Sequence, residues 1–244
     1  MIGDVLTVMR KEWKEIMAMG GAQRGRFQLL VFVGIMGVFL PWQFGPKWVT
    51  SPAVIGAWGW VPVVLVSTII ADSFAGERER HTLETLLASR LTDSAILFGK
   101  MAAAVAYGWG LTLAGLIVGW ITVNVANRGG GLLLYSPTTA IGALVLSFFG
   151  ALLASAGGVL VSLRAQTVRQ AQQTLSIATM VILFVPVFGV QGLPDDVKQR
   201  LATWAIRAGT LKLMLTGLAG LAAVDLLLVF AARARFRRSR LVEG

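Results

Sequence analysis

The sequence contains no cysteine, which excludes disulfides, thiolate metal sites and cysteine nucleophiles. Its single histidine, His81, cannot build a multi-histidine metal site, and the H-E-x-x-H pattern of zinc proteases is absent. No G-x-x-x-x-G-K-S/T phosphate loop occurs, so the chain is not expected to hydrolyse ATP itself. The G-x-S-x-G nucleophile elbow is missing too. Charge is scarce: Asp, Glu, Lys and Arg make up 14% of the chain, where a soluble domain carries about 25%.

What is abundant is apolar surface, with 56% hydrophobic residues. A water-soluble fold has little use for so much of it, whereas lipid accepts it. The net charge of +10 would suggest a nucleic-acid partner in a soluble protein. Here the basic residues fall between apolar runs rather than along one face, so they read as membrane topology and no nucleic acid is expected.

A helix needs about 20 apolar residues to cross roughly 30 Å of hydrocarbon. Five stretches free of Lys, Arg, Asp and Glu are long enough: 27–46, 48–71, 101–127, 129–163 and 170–194. A sixth, 213–232, is interrupted only by Asp225. The fourth is too long for one crossing. Ser136-Pro137 supplies an N-cap and a first-turn proline inside it, after the turn signal Gly129-Gly130-Gly131. The expectation is an all-α membrane protein with spans at about 27–46, 50–71, 101–125, 137–163, 171–190 and 212–232. The first apolar run starts only at Phe27 and no small-residue cleavage site follows, so it is expected to remain as a span.

Lys and Arg give the orientation. Of 22 such residues, 16 fall on one side: the segment before span one, the span two–three and four–five connections, and the end of the chain. The other side holds Lys47, Arg128, Lys198, Arg200, Arg207 and Lys212. Both termini are therefore expected in the cytoplasm, in a multi-pass protein of the cell membrane. Trp42 and Trp48 then lie near the outer end of span one, where indoles favour the interface.

Residues 2–20 form an amphipathic helix with Ile2, Val5, Leu6, Met9, Trp13, Ile16 and Met17 at helical spacing. It is either an interfacial anchor in lipid or a lever that also touches a cytoplasmic partner. The first cytoplasmic loop, 72–100, is long and carries its own short helix. Thr82 can cap that helix, Leu83, Leu86, Leu87 and Leu91 share one face, and Thr92-Asp93-Ser94 starts the next. The leucines pack either on the chain's own spans or in a groove of another protein. A second long connection, 191–211, contains a short helix with Leu201, Trp204 and Ile206 on the outer side.

Asp225 lies about 10 Å from the inner end of span six, at 1.5 Å per residue. A carboxylate there costs about 2–3.5 kcal/mol unless paired, protonated or hydrated. It serves either a structural pair, with Arg164 as one candidate partner, or transport. Gly150, Ala154 and Gly158 along span four allow close helix approach.

The loop resembles the most recognisable stretch of the ABC-2 family of ATP-binding-cassette permeases. The matching residues are Asp72 at the end of span two, Glu77 and Glu79, then Thr82-Leu83-Glu84, Leu86-Leu87, Ser94 and Lys100. His81 stands where glycine is usual, and the Arg90-Leu91 step lacks the common proline. Within the family the chain looks most like bacterial sodium-efflux or multidrug permeases; haem-exporter permeases are more distant. The resemblance implies a permease subunit of an exporter that pairs with a second permease chain, identical or related. It also implies two copies of a separate ABC ATPase, which would bind the ATP and Mg, with no cofactor on this chain. The loop helix would then be a coupling helix. By position Glu77, Arg78, Glu79, Arg80, His81, Thr82, Leu83, Glu84, Leu86 and Leu87 would form the ATPase contact, with the N-terminal helix beside it. An ion-coupled carrier or channel using Asp225, or a non-transporting membrane scaffold, are the alternatives.

Overall fold

A computed structural model describes residues 2–19, 30–51, 53–129 and 131–236. Among them there are helices and no strand. In chain order these are α1 (Ile2–Met19), α2 (Leu30–Phe44), α3 (Lys47–Thr50), α4 (Ala53–Glu79) and α5 (Leu83–Leu87), followed by α6 (Asp93–Ala126), α7 (Pro137–Ser162), α8 (Val168–Gln191), α9 (Asp195–Ala208) and α10 (Thr210–Arg235).

Five of these, α4, α6, α7, α8 and α10, are long and apolar enough to cross a membrane. The expected first span begins outside the described residues. Its described part, α2, is a shorter apolar helix with a π-helical stretch at Gly34–Phe39. A π turn misaligns the backbone ladder. Here a neighbouring helix supplies a partner, since the Thr122 hydroxyl is 2.8 Å from the Gly37 carbonyl oxygen. Arg24, Arg26, Arg237, Arg238, Arg240 and the side chain of Leu87 also lie outside the described residues.

Two helices are longer than the apolar runs indicate. α4 continues past residue 71 to Glu79, and α6 begins at Asp93 rather than 101. A charge-free run measures only what lipid can cover, whereas a helix continues wherever its charged side chains find partners. At 1.5 Å per residue the two helices are about 40 and 50 Å long, so both project beyond a 30 Å hydrocarbon layer. The connection between them shrinks to a tight turn, α5 and a second turn. Thr92 caps α6 by accepting from the Ala95 amide at 3.2 Å, and Ser136 caps α7 from the Thr139 amide at 3.1 Å.

The core is α4 packed along α7, with α6 flanking both. α10 lies against α7, and α8 against α4 and α7. Without a hydrophobic force between helices in lipid, close backbone approach is the main source of attraction. Gly150 and Gly158 supply that approach. A Cβ on Gly150 would stand 2.7 Å from the Gly59 carbonyl oxygen, and one on Gly158 would stand 2.0 Å from the Ile70 side chain. Pro62, inside α4, removes one backbone donor from the ladder beside this contact. Of the two tryptophans near the end of α2, Trp48 is buried, edge-to-face with Trp58 at 6.0 Å, while Trp42 is exposed. In α9, Trp204 and Ile206 remain exposed.

Replacing Gly150 by Ala should lower stability by about 1–3 kcal/mol, because the opposing atom is backbone and cannot rotate away. Gly157→Ala on the same helix, where nothing lies within 4 Å, should be neutral or better. Thermal unfolding of both variants in detergent checks the pair.

Candidate functional site

A cluster of charged side chains forms where α1, the end of α4 and the start of α6 meet. Lys100 is the centre. Its side chain is 1% exposed, and its ammonium is 2.8 Å from Glu12 Oε1, 2.9 Å from Glu77 Oε1 and 3.0 Å from the Ser73 carbonyl oxygen. Those three acceptors use all three donors of a lysine. The ammonium also lies 5.4 Å from the centre of the Phe74 ring. An unpaired charge buried this deeply would cost several kcal/mol, so the geometry holds only while the carboxylates from two other helices are present.

Lys11 stands at the rim, 3.3 Å from Glu15 and 3.5 Å from Glu77. Partial burial pulls its pKa down, but Glu12, Glu77 and Glu15 together outweigh that and raise it. The other oxygen of Glu77, Oε2, is buried with no hydrogen-bond partner among the described residues.

The ion cluster fixes α1 against α6. Val8 and Glu12, one turn apart, are both buried on that face. A Cβ on Gly99 of α6 would come within 2.5 Å of Val8, so the two helices touch closely. The opposite side of α1 leaves Ile2, Leu6 and Met17 exposed, an apolar surface suited to the membrane interface.

The last turns of α4 reach the remaining helices. Arg78 donates to the carbonyl oxygens of Ala165 and of Leu163, the latter at 2.9 Å, and so satisfies backbone groups just past the end of α7. Glu79 accepts from the Val168 amide at 3.1 Å, at the start of α8. Ser162 inserts its hydroxyl into the α4 ladder: it accepts from the Phe74 and Ala75 amides and donates to the Ala71 carbonyl oxygen. Arg80 reaches back to Asp72 with contacts of 3.2 and 3.3 Å, and this hydrogen bond raises the arginine's pKa.

The turn that follows carries a strained residue. His81 has φ +55°, the left-handed region. A residue with a Cβ is disfavoured there by about 1–2 kcal/mol. That accounts for glycine being usual at this position in the resembling motif. Thr82 donates to the Glu77 carbonyl oxygen at 3.3 Å instead of capping α5 through its side chain.

The ten residues of the expected contact therefore divide. Glu77 turns inward to Lys100, and Arg78 is spent on α7. Leu83 is buried in the main core, and Leu86 and Leu91 pack against it. Glu79, Arg80, His81, Thr82 and Glu84 are exposed. Asp225 lies apart from this group. It is 1% exposed, both its oxygens lack a hydrogen-bond partner among the described residues, and the candidate pair with Arg164 is not formed. Glu12 and Ser162 are the residues that sequence reasoning missed. For Glu12 the signal was a carboxylate one turn after Val8 on a helix expected to lie in lipid. Ser162 gives no signal outside the fold.

Lys100→Met should cost about 3–5 kcal/mol by stranding two carboxylates. Combining it with Glu12→Gln and Glu77→Gln should recover most of that loss in thermal unfolding. His81→Gly should gain roughly 1 kcal/mol by relieving the left-handed strain, read as a higher unfolding midpoint of the detergent-solubilised protein.

Comparison with known families matches residues 60–216 to the family described as ABC-2 family transporter protein. The matched segment covers well over half of the chain and includes α5 with its flanking turns. No curated protein matches the chain well enough to count as a relative. The family consists of transmembrane components, generally not catalytic, that work with an ABC ATPase subunit. With five helices long and apolar enough to cross a membrane among the described residues, and with this match, the chain is a multi-pass membrane protein that belongs to the ABC-2 transporter family.

Proposed function

We propose that this chain is the membrane-spanning subunit of an ATP-driven exporter, and that the turn and helix 79–87 receive force from a separate ATPase. ATP and Mg are bound by that partner. The charged end of the bundle faces the cytoplasm, the first described span completes a set of six, and two permease chains, identical or related, assemble with two ATPases. One observation carries the reading. The exposed turn is tied without a flexible joint to four elements: α1 and α6 through Lys100, and α7 and α8 through Arg78 and Glu79. A push on the turn is thereby a push on the whole bundle end.

Because Leu83 and Leu86 pack on the chain's own core, the ATPase contact falls to the exposed polar residues. His81 and Glu84 are the most available, since Glu79 and Arg80 already have partners. Buried, unpartnered Asp225 favours a second reading, an ion-coupled carrier.

One experiment separates them. His81→Glu with Glu84→Arg should weaken co-purification with a candidate ABC ATPase by roughly tenfold. ATP-driven transport in proteoliposomes should fall in parallel. Binding left intact by this double change would refute the contact, and transport by the chain alone on an ion gradient would favour the carrier.

A further inference from the structure

A second charged site lies beside the α7–α8 connection that Arg78 and Glu79 reach. The ends of α7 and α10 and the start of α8 enclose an open cavity of ≈ 320 Å³. Arg164, just past the end of α7, and Arg235, the last residue of α10, both line it, with Gln170 from the first turn of α8. Neither guanidinium has an ion pair or side-chain hydrogen bond among the described residues, and no acidic residue lines the cavity. Its other walls are apolar, including Leu160, Val161 and Ala231.

Arg164 and Arg235 are exposed on one cavity, where two like charges are relieved by an anion near both, and their planar forks match phosphate oxygens. The apolar walls belong to spans, so the cavity opens where acyl chains end and headgroups begin. A free solute would not need those walls; an anionic lipid fills both parts at once. We propose that this cavity binds the phosphate headgroup of an anionic phospholipid, held by Arg164 and Arg235 with Gln170 as a neutral donor. The site is independent of the export reading, since it needs only the membrane setting.

The test uses the full chain, purified, stripped of lipid and offered phosphatidylglycerol or phosphatidylcholine with identical acyl chains. Bound lipid is counted by native mass spectrometry. Wild type should prefer phosphatidylglycerol by roughly 30-fold, the effect of two basic side chains at a lipid surface. Arg164→Gln with Arg235→Gln should abolish the preference. So should Ala231→Phe, which fills the cavity and leaves both charges in place. Lys198→Gln with Arg207→Gln, on α9, should keep it. Equal retention of phosphatidylglycerol by wild type, the double glutamine variant and Ala231→Phe overturns the site. If inorganic phosphate raises the unfolding midpoint of the stripped protein as much as phosphatidylglycerol does, the occupant is a free anion and the lipid assignment falls.

Discussion

A buried ammonium with two carboxylates from two other helices organises this protein's charged end. Lys100, Glu12 and Glu77 lie far apart in sequence, and none of them could be buried alone. Their meeting requires α1 to lie along α6, and it requires α4 to stay helical past the apolar run so that Glu77 can reach. The position of the turn after Glu79 follows from that. So does the reach of Arg78 and Glu79 to α7 and α8. Desolvation makes the arrangement close to all-or-none: a partly separated cluster would leave charge in an apolar site with neither water nor partner.

Much of the architecture was legible because lipid imposes a length rule and a charge rule. Apolar runs locate α4, α6, α7, α8 and α10, and Ser136-Pro137 marks where α7 begins. The ends of α4 and α6 were not legible, because charge was read as loop where it is helix neutralised by distant partners. The candidate site divides in the same way. The segment around Glu77 to Leu86 stands out by motif, but which side chains point inward depends on tertiary neighbours. Leucines at helical spacing cannot say whose surface they cover, and here Leu83 is buried in the chain's own core with Leu86 and Leu91 packed against it. His81 is the converse: its unusual backbone angle explains a residue preference that sequence alone leaves bare.

The helices differ sharply in how much of them is covered. α4 and α7 are sealed against each other by glycine contacts, while α8 and α10 leave long apolar rows exposed, including Ile177, Val185 and Phe188 on one and Leu227 and Phe230 on the other. In a membrane such rows meet lipid or other helices at no hydrophobic penalty. Rigidity is thus concentrated in the α4–α6–α7 core and its charged end, and the lipid-facing helices are held more lightly.

Pro62 gives this rigidity a mechanical shape. It lies 17 residues before Glu79, or about 25 Å along the axis. Between the two, side chains from three neighbouring helices brace α4. At the proline one rung of the backbone ladder is missing, while the Gly59–Gly150 contact beside it holds α4 close against α7. α4 is in effect a long arm gripped at two places, by the glycine contact near Pro62 and by the charged cluster at its end. Any tilt of α4 from its Glu79 end must therefore carry the nine residues before Pro62 with it, including Trp58, which is buried against Trp48.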